Sequence, residues 1–363
     1  MYTRFGDNDK VNRQAQELVT STWTNNLNNL DVAFTSSTQA STTHATSSGQ
    51  FFIEVFNKAT TGHASPDATS EVQYAIAYGH RHGSGSPNFT DDTGSLGIGA
   101  SRTIYNQYRQ LHFNDDTKFF EFGTHTPDSV YVININRSRY KQRLTLGSLN
   151  LTISGAATGH AGMSTIKLTD DSVTNGQTAD SNLGPVYNIV SGSNGVLSGS
   201  KTNQLTINAS ASTYGNFYPE SGLIILNADA FTGSINPAYY SGSNQALDQQ
   251  KPHERFLRHI STVGNQISLD NTGSFIVDTT EEINSQFYFV RAANSQFNYT
   301  NNESFVDNNK NIRFTTMRLN PKVFITTVGL YNDAFELVAI AKLSQPVAKD
   351  FTKEALIRVK LDY

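Results

Sequence analysis

Short runs of alternating apolar and polar residues, each closed by a turn signal, are the feature that most narrows what this chain can fold into. Ser129–Asn136 (SVYVININ) is the clearest. Val130, Val132 and the asparagine side chains fall on one face, and Tyr131, Ile133 and Ile135 on the other. Leu144–Ile153 alternates through Leu144, Leu146, Leu149, Leu151 and Ile153, with a break at Gly147-Ser148. Thr165–Leu168, Val186–Val190, Gln204–Ile207 and Gly222–Leu226 follow, punctuated by Asn175-Gly176, Asn194-Gly195 and Pro219-Glu220-Ser221-Gly222. Side chains of a strand alternate between faces, so short runs with this period predict a sandwich or barrel rather than α/β units.

The C-terminal third continues the pattern. Gln286–Arg291, Val323–Leu330, Glu336–Lys342 and Ala355–Leu361 read as strands, and Tyr331-Asn332-Asp333 gives a hairpin between the second and third. Alternation through Leu356, Val359 and Leu361 runs up to Tyr363, which predicts a last strand docked in a sheet.

The N-terminal part reads differently. Residues 1–50 are poor in apolar side chains and end in a Ser/Thr run, with Trp23, Leu27 and Leu30 as a small apolar anchor. Two readings stand for them: terminal disorder, or an extended arm that orders on a neighbouring chain. Residues 51–118 look mixed, with a strand at Phe51–Phe56 and a helix over Ala68–Tyr78 from Ala68, Val72, Ala75 and Ile76. A second helix would be capped by Ser101 and carry Ile104, Tyr105, Tyr108 and Leu111 on its apolar face. The expected fold class is mainly β: multi-domain β-sandwich or barrel units, a small mixed α/β N-terminal region and an extended N-terminal arm. The expected division is 1–50 (arm), 51–118 (mixed), 119–252 (sandwich-like) and 253–363 (C-terminal β domain).

Composition excludes several functions. Charged residues make up 16%, below the roughly 25% of an ordinary soluble domain, and their place is taken by Ser, Thr, Asn, Gly and aromatic residues, with 16 Tyr and 22 Phe. A net charge of -4 and pI near 6.1 lack the basic footprint of nucleic-acid binding. The absence of cysteine removes disulfides, zinc-thiolate sites and thiol catalysis together. There is no run of 18 apolar residues for a membrane span and no apolar stretch of a signal peptide, so the chain is expected to bind no membrane and not to use the ordinary secretory route.

The motifs that could carry chemistry fail on spacing. His253-Glu254-Arg255-Phe256-Leu257-Arg258-His259 has its histidines six apart, whereas a zinc-protease helix needs them four apart on one face. It reads as an amphipathic linker helix that buries Phe256, Leu257 and Ile260. The stretches from Asp171 and from Asp307 lack the calcium-loop residues at fixed positions and read as polar turns. His80 and His82, in a Gly-rich connection through Pro87, have no third ligand nearby and read as an exposed or interface segment. The pairs Asp91-Asp92, Asp115-Asp116 and Asp170-Asp171 read as solvated turns. The sequence therefore predicts no catalytic, cofactor-binding or metal residue, and no cofactor.

Several stretches also carry a resemblance: Gln286–Arg291 with Phe297-Asn298-Tyr299-Thr300-Asn301-Asn302, then Pro321–Asp333, Glu336–Pro346, Lys349–Glu354 and Val359–Tyr363. With Ser101–Arg109, Ile133–Tyr140, Tyr187–Gly192 and Tyr214–Glu220, they are similar to virion structural proteins of contractile-tailed cyanophages and related marine phages. The resemblance covers roughly residues 70–363 and is most specific in the last eighty. It implies a structural protein of the virion tail or baseplate, made in the host cytoplasm, a homo-oligomer contacting other virion proteins, with no catalytic residues to carry over. A receptor- or glycan-binding tail-fibre module is the alternative, and a polysaccharide depolymerase the third.

Overall fold

The computed structural model describes residues 4–24, 35–36, 52–57, 71–83, 100–123, 125–154, 165–198, 213–231, 252–260, 273–300 and 302–362. The fold is mainly β, with a curled half-barrel sheet. The chain divides into two compact units, one of Leu18–Glu281 and one of Met1–Glu17 with Glu282–Tyr363.

The larger unit is built on one antiparallel sheet. Its strands are β2 (Thr35–Ser36), β3 (Phe52–Phe56), β4 (Val72–His80), β5 (Ser129–Ile135), β7 (Asn150–Ser154), β8 (Thr165–Asp170), β10 (Gly184–Ser193), β12 (Gly215–Tyr218), β13 (Leu223–Asn227) and β14 (Ser274–Ile276). Their spatial order is β14-β7-β8-β10-β12-β13-β5-β4-β3-β2, with β9 (Ala179–Ser181) and β11 (Val196–Leu197) paired to β10. Strands from the stretches read as 51–118, 119–252 and 253–363 thus share one sheet.

The central strands are buried on both faces. Tyr74, Ile76 and Tyr78 of β4, Tyr131, Ile133 and Ile135 of β5, and Ile224 and Leu226 of β13 form one core. Ala77, Val130, Val132, Leu223 and Ile225 point into a second. A helix lies over each. Pro252–Ile260, named α2, buries Phe256, Leu257 and Ile260 in the first core, as the sequence predicts. It touches β7 as well as β3 and β4, which stand far apart in the sheet order, so the sheet curls around it. The other helix, α1 (Ala100–Phe113), buries Tyr105 and Tyr108 in the second core. Gly79 permits its close approach: a Cβ there would sit 2.9 Å from the Tyr105 backbone nitrogen. Two details of this helix differ from expectation. Ser101 lies inside the first turn, and Leu111 is exposed.

The helix expected over Ala68–Tyr78 is a strand from Val72 on. Val72, Tyr74, Ile76 and Tyr78 also satisfy a period of two, and aromatic and β-branched residues between two buried faces favour the strand. The arm is corrected too. Lys10–Ser21 form β1, a partner of β15 (Asp278–Ala292), and Trp23 is buried against Tyr74 and Phe275. Thr24 is held by buried Gln73 and by Arg139, which also pairs with Glu71 at 2.8 Å. The segment around Trp23 therefore belongs to its own unit's core. Leu27, Leu30 and Gln204–Ile207 lie outside the described residues.

In the smaller unit β15 pairs with β18 (Ala355–Asp362) in register from Ser285↔Asp362 to Ala292↔Ala355. The final strand is docked, as its alternation predicts. Val323–Tyr331 (β16) and Leu337–Lys349 (β17) form a separate two-stranded ribbon around the predicted Tyr331-Asn332-Asp333 turn. In the turn, Asn332 Oδ1 accepts the Glu336 backbone N–H at 2.8 Å. The two-residue β6 (Arg143–Leu144) pairs Thr279 and Thr280 of β15 within the larger unit.

Candidate assembly surface

An isolated two-stranded ribbon is marginal in water and needs a packed face. The β16–β17 ribbon has one. Val328 and Leu330, with Ile325, Ala339, Ala341 and Leu343, pack on Ile357, Val359, Tyr288 and Val290 of the β15–β18 pair. The other face of the ribbon is also apolar, and it is open. Tyr331 and Leu337 pair across the strands and close over Gly329, where a Cβ would meet the Tyr331 ring at 3.0 Å and the Leu337 methyl at 3.2 Å. Beside them Val338 is 67% exposed, Ile340 56% and Phe335, in the turn at φ 62°, 65%. Lys342, opposite Thr327, bounds the patch, and exposed Phe324 lies beyond that pair toward the far end of β16.

Ordinary surfaces scatter their exposed apolar residues singly; a contiguous patch of this kind marks an interaction site. The sequence contains the reason. Most strands with one solvent face alternate apolar with polar, but Leu337-Val338-Ala339-Ile340-Ala341 is apolar at every position, so both faces of the ribbon are apolar. A second exposed group lies in the loops of the same unit. Tyr299 and Phe314 flank Phe305, with ring centroids 6.1 and 6.5 Å apart.

One group of titratable residues of the larger unit gathers at one end of β4 and β5. His125 Nε2 is 3.1 Å from Asp229 Oδ2, and Ser129 Oγ donates to Asp229 Oδ1 at 3.3 Å. Arg81 stands 3.4 Å and His82 4.0 Å from Asp128, and the Arg81 guanidinium lies 4.4 Å from the centre of the Phe119 ring. The residue types are those of a hydrolase triad, but the bonding differs. Both the serine and the histidine address the carboxylate, whereas in a triad the serine donates to the imidazole. Asp229 is a hub that fixes the loop ahead of β5 to the turn after β13. Sequence reading missed this group because His125, Ser129 and Asp229 are brought together by strand order. His80 and His82 fall at the same end, rings 6.0 Å apart, and among the described residues no three His or acidic side chains form a metal-binding group.

The acidic pairs divide. Asp115 accepts the Thr117 backbone N–H at 2.8 Å in an exposed turn, whereas Asp170 and Asp171 are fully buried, against the expectation of solvated turn residues. Asp170 accepts the backbone N–H of Gly147 at 2.7 Å and of Leu149 at 3.2 Å. Asp171 accepts from Asn188 N at 2.9 Å, Asn188 Nδ2 at 3.2 Å and Asn175 Nδ2 at 3.0 Å. These carboxylates spend their lone pairs on N–H donors and, at Asp170, on the Ser172 hydroxyl, and pin the turns between β7, β8 and β10. Asp307 does the same in its own turn, accepting from Asn309 and Asn311 at 2.9 and 2.7 Å, as the polar-turn reading expects. Asp91-Asp92 and the connection from Ser84 to Pro87 lie outside the described residues.

His112 is half-buried against Phe113, Phe120 and Tyr218, and this burial, with the charge of Lys118, lowers its pKa to about 4. It is a neutral packing residue at ordinary pH. Comparison with protein-family models, with curated proteins and with solved structures gives no match to this chain.

Proposed function

We propose that this protein is a structural subunit of a phage virion, in the tail or baseplate of a contractile-tailed particle, and that it is not an enzyme. It assembles with copies of itself and with neighbouring virion proteins through β-rich surfaces, binding neither nucleic acid nor membrane. The observation that carries the assembly reading is the open apolar face of the ribbon, Phe335, Leu337, Val338 and Ile340 above all. A protein that stays monomeric has no use for such a face, and a subunit of a symmetric assembly does. The virion assignment is supported by the resemblance of the C-terminal stretches, which include both strands of this ribbon. In the same reading the larger unit is barrel-like and the smaller a sandwich of ribbon on sheet.

Imaging the intact particle tests this reading. Density for the chain at repeated positions in the tail, with the ribbon covered, is the expected result. Particles whose protein content lacks the chain would reject it. The aromatic run of exposed Tyr299 and Phe314 on either side of half-buried Phe305 favours one second reading, a glycan-binding module. That reading requires glycan-array binding that is lost in Tyr299→Ala.

A further inference from the structure

We propose that Lys349 and Asn298 are the reacting pair of an intramolecular isopeptide cross-link in the smaller unit. Lys349 ends β17 and is 1% exposed; Asn298 follows β15 and is 7% exposed. The Lys349 Nζ donates to Asn298 Oδ1 at 2.7 Å and to the Asn294 carbonyl at 3.1 Å. Asn298 Nδ2 donates to that same carbonyl at 2.6 Å. One backbone oxygen thus holds both the amine and the carboxamide nitrogen, and the amine rests against the oxygen attached to Cγ, the atom that a nucleophile attacks.

A lysine is almost never fully buried without an anionic partner. Among the described residues no carboxylate stands at ion-pair distance from Lys349. The neighbouring Asp350 is occupied in its own turn, accepting from Thr352 N at 2.8 Å. Two neutral oxygens are a poor substitute for a counter-ion in a desolvated site. Conversion of the side chain to an amide removes the charge altogether.

The step balances without a co-reactant. The ammonium first gives one proton to water, the freed lone pair forms a bond from Nζ to Asn298 Cγ, the Cγ–Nδ2 bond breaks, and the amide nitrogen leaves as ammonia with a second proton from Nζ, taking up the first as ammonium in solution. One amide replaces another, and nothing is oxidised or reduced. The Asn294 carbonyl, bonded to both nitrogens, holds them in a reactive geometry. The product ties the segment after β15 to the end of β17, closing a loop across residues 51 apart in sequence. In a chain without cysteine it supplies a covalent staple that no reductant opens.

Intact mass spectrometry of the full-length purified chain tests the proposal. The wild type is expected to be lighter than its sequence by one ammonia, about 17 Da. Lys349→Arg and Asn298→Ala are expected at their sequence masses, and fragment spectra should contain a branched peptide joining residues 298 and 349. Ring closure at Asn175-Gly176 or Asn194-Gly195 loses the same ammonia but joins no peptides. Wild-type protein at its full sequence mass after days at neutral pH overturns the proposal, as does a mass loss mapped to either Asn-Gly pair.

Discussion

Tyr74 and Phe275 meet edge to face, ring centroids 5.1 Å apart and planes at 87°, although β4 and β14 are separated by six other strands in the sheet order. Trp23 completes the group, 5.5 Å from Tyr74 and 5.0 Å from Phe275, and its indole N–H donates to the Phe275 carbonyl at 3.0 Å. These three rings join two distant stretches of the curled sheet. Trp23 thereby bridges the core of the half-barrel.

Trp23→Ala is expected to destabilise the larger unit by about 3–5 kcal/mol, the usual cost of truncating a buried aromatic. Denaturant unfolding followed by circular dichroism measures it. A loss below about 1 kcal/mol would return the segment to the status of a detachable arm.

Acid should weaken the larger unit before its carboxylates protonate. His112 is lowered to about 4 in the folded chain, against an ordinary 6.5, so between those values the unfolded chain binds the extra proton. The histidine's contribution is present above pH 6.5 and is lost as pH falls toward 4. Melting temperatures across that window should decline in the wild type and decline less in His112→Phe. Parallel curves for the two proteins would contradict the assignment.

Calcium and chelators should leave the melting temperature unchanged, since N–H and O–H donors occupy the oxygens of Asp170, Asp171 and Asp307. Asp171→Ala leaves three donors without an acceptor and is expected to cost about 2–4 kcal/mol. A stabilisation by millimolar calcium that Asp171→Ala abolishes would show a metal loop instead of a hydrogen-bonded pin.

Ser129 should not react with a fluorophosphonate probe, because its hydroxyl donates to the Asp229 carboxylate and not to the His125 imidazole that addresses the same carboxylate. Stoichiometric labelling, abolished by Ser129→Ala and by His125→Ala, would overturn the non-enzymatic reading.

Much of the sheet was legible because strands report themselves by alternation. Tyr131, Ile133 and Ile135 against Val130 and Val132 separate into the two cores as the period of two requires. Asn194-Gly195 makes the expected tight turn between β10 and β11, with φ of 53° and 71°. The segment from Val72 was not legible, because its apolar residues satisfy two periods and only its two buried neighbours, β3 and β5, decide between them. The burial of Asp170-Asp171 was hidden because its compensating donors come from Gly147, Leu149 and Asn188, far along the chain. The histidine–carboxylate group was hidden for the same reason. The open ribbon face could have been read from the continuous apolar run at Leu337–Ala341, whose period-free pattern leaves no side for water.

The ribbon face is the surface on which the assembly account stands, and sedimentation analysis of the purified full-length chain tests it most directly. The wild type should self-associate with rising concentration. Val338→Asp with Ile340→Asp, both already exposed, should leave the unfolding transition in place and weaken association at least tenfold, about 1.4 kcal/mol or more. A wild type that stays monomeric at every concentration, or a double variant that associates as strongly as the wild type, would contradict the claim that copies of this chain dock through that face.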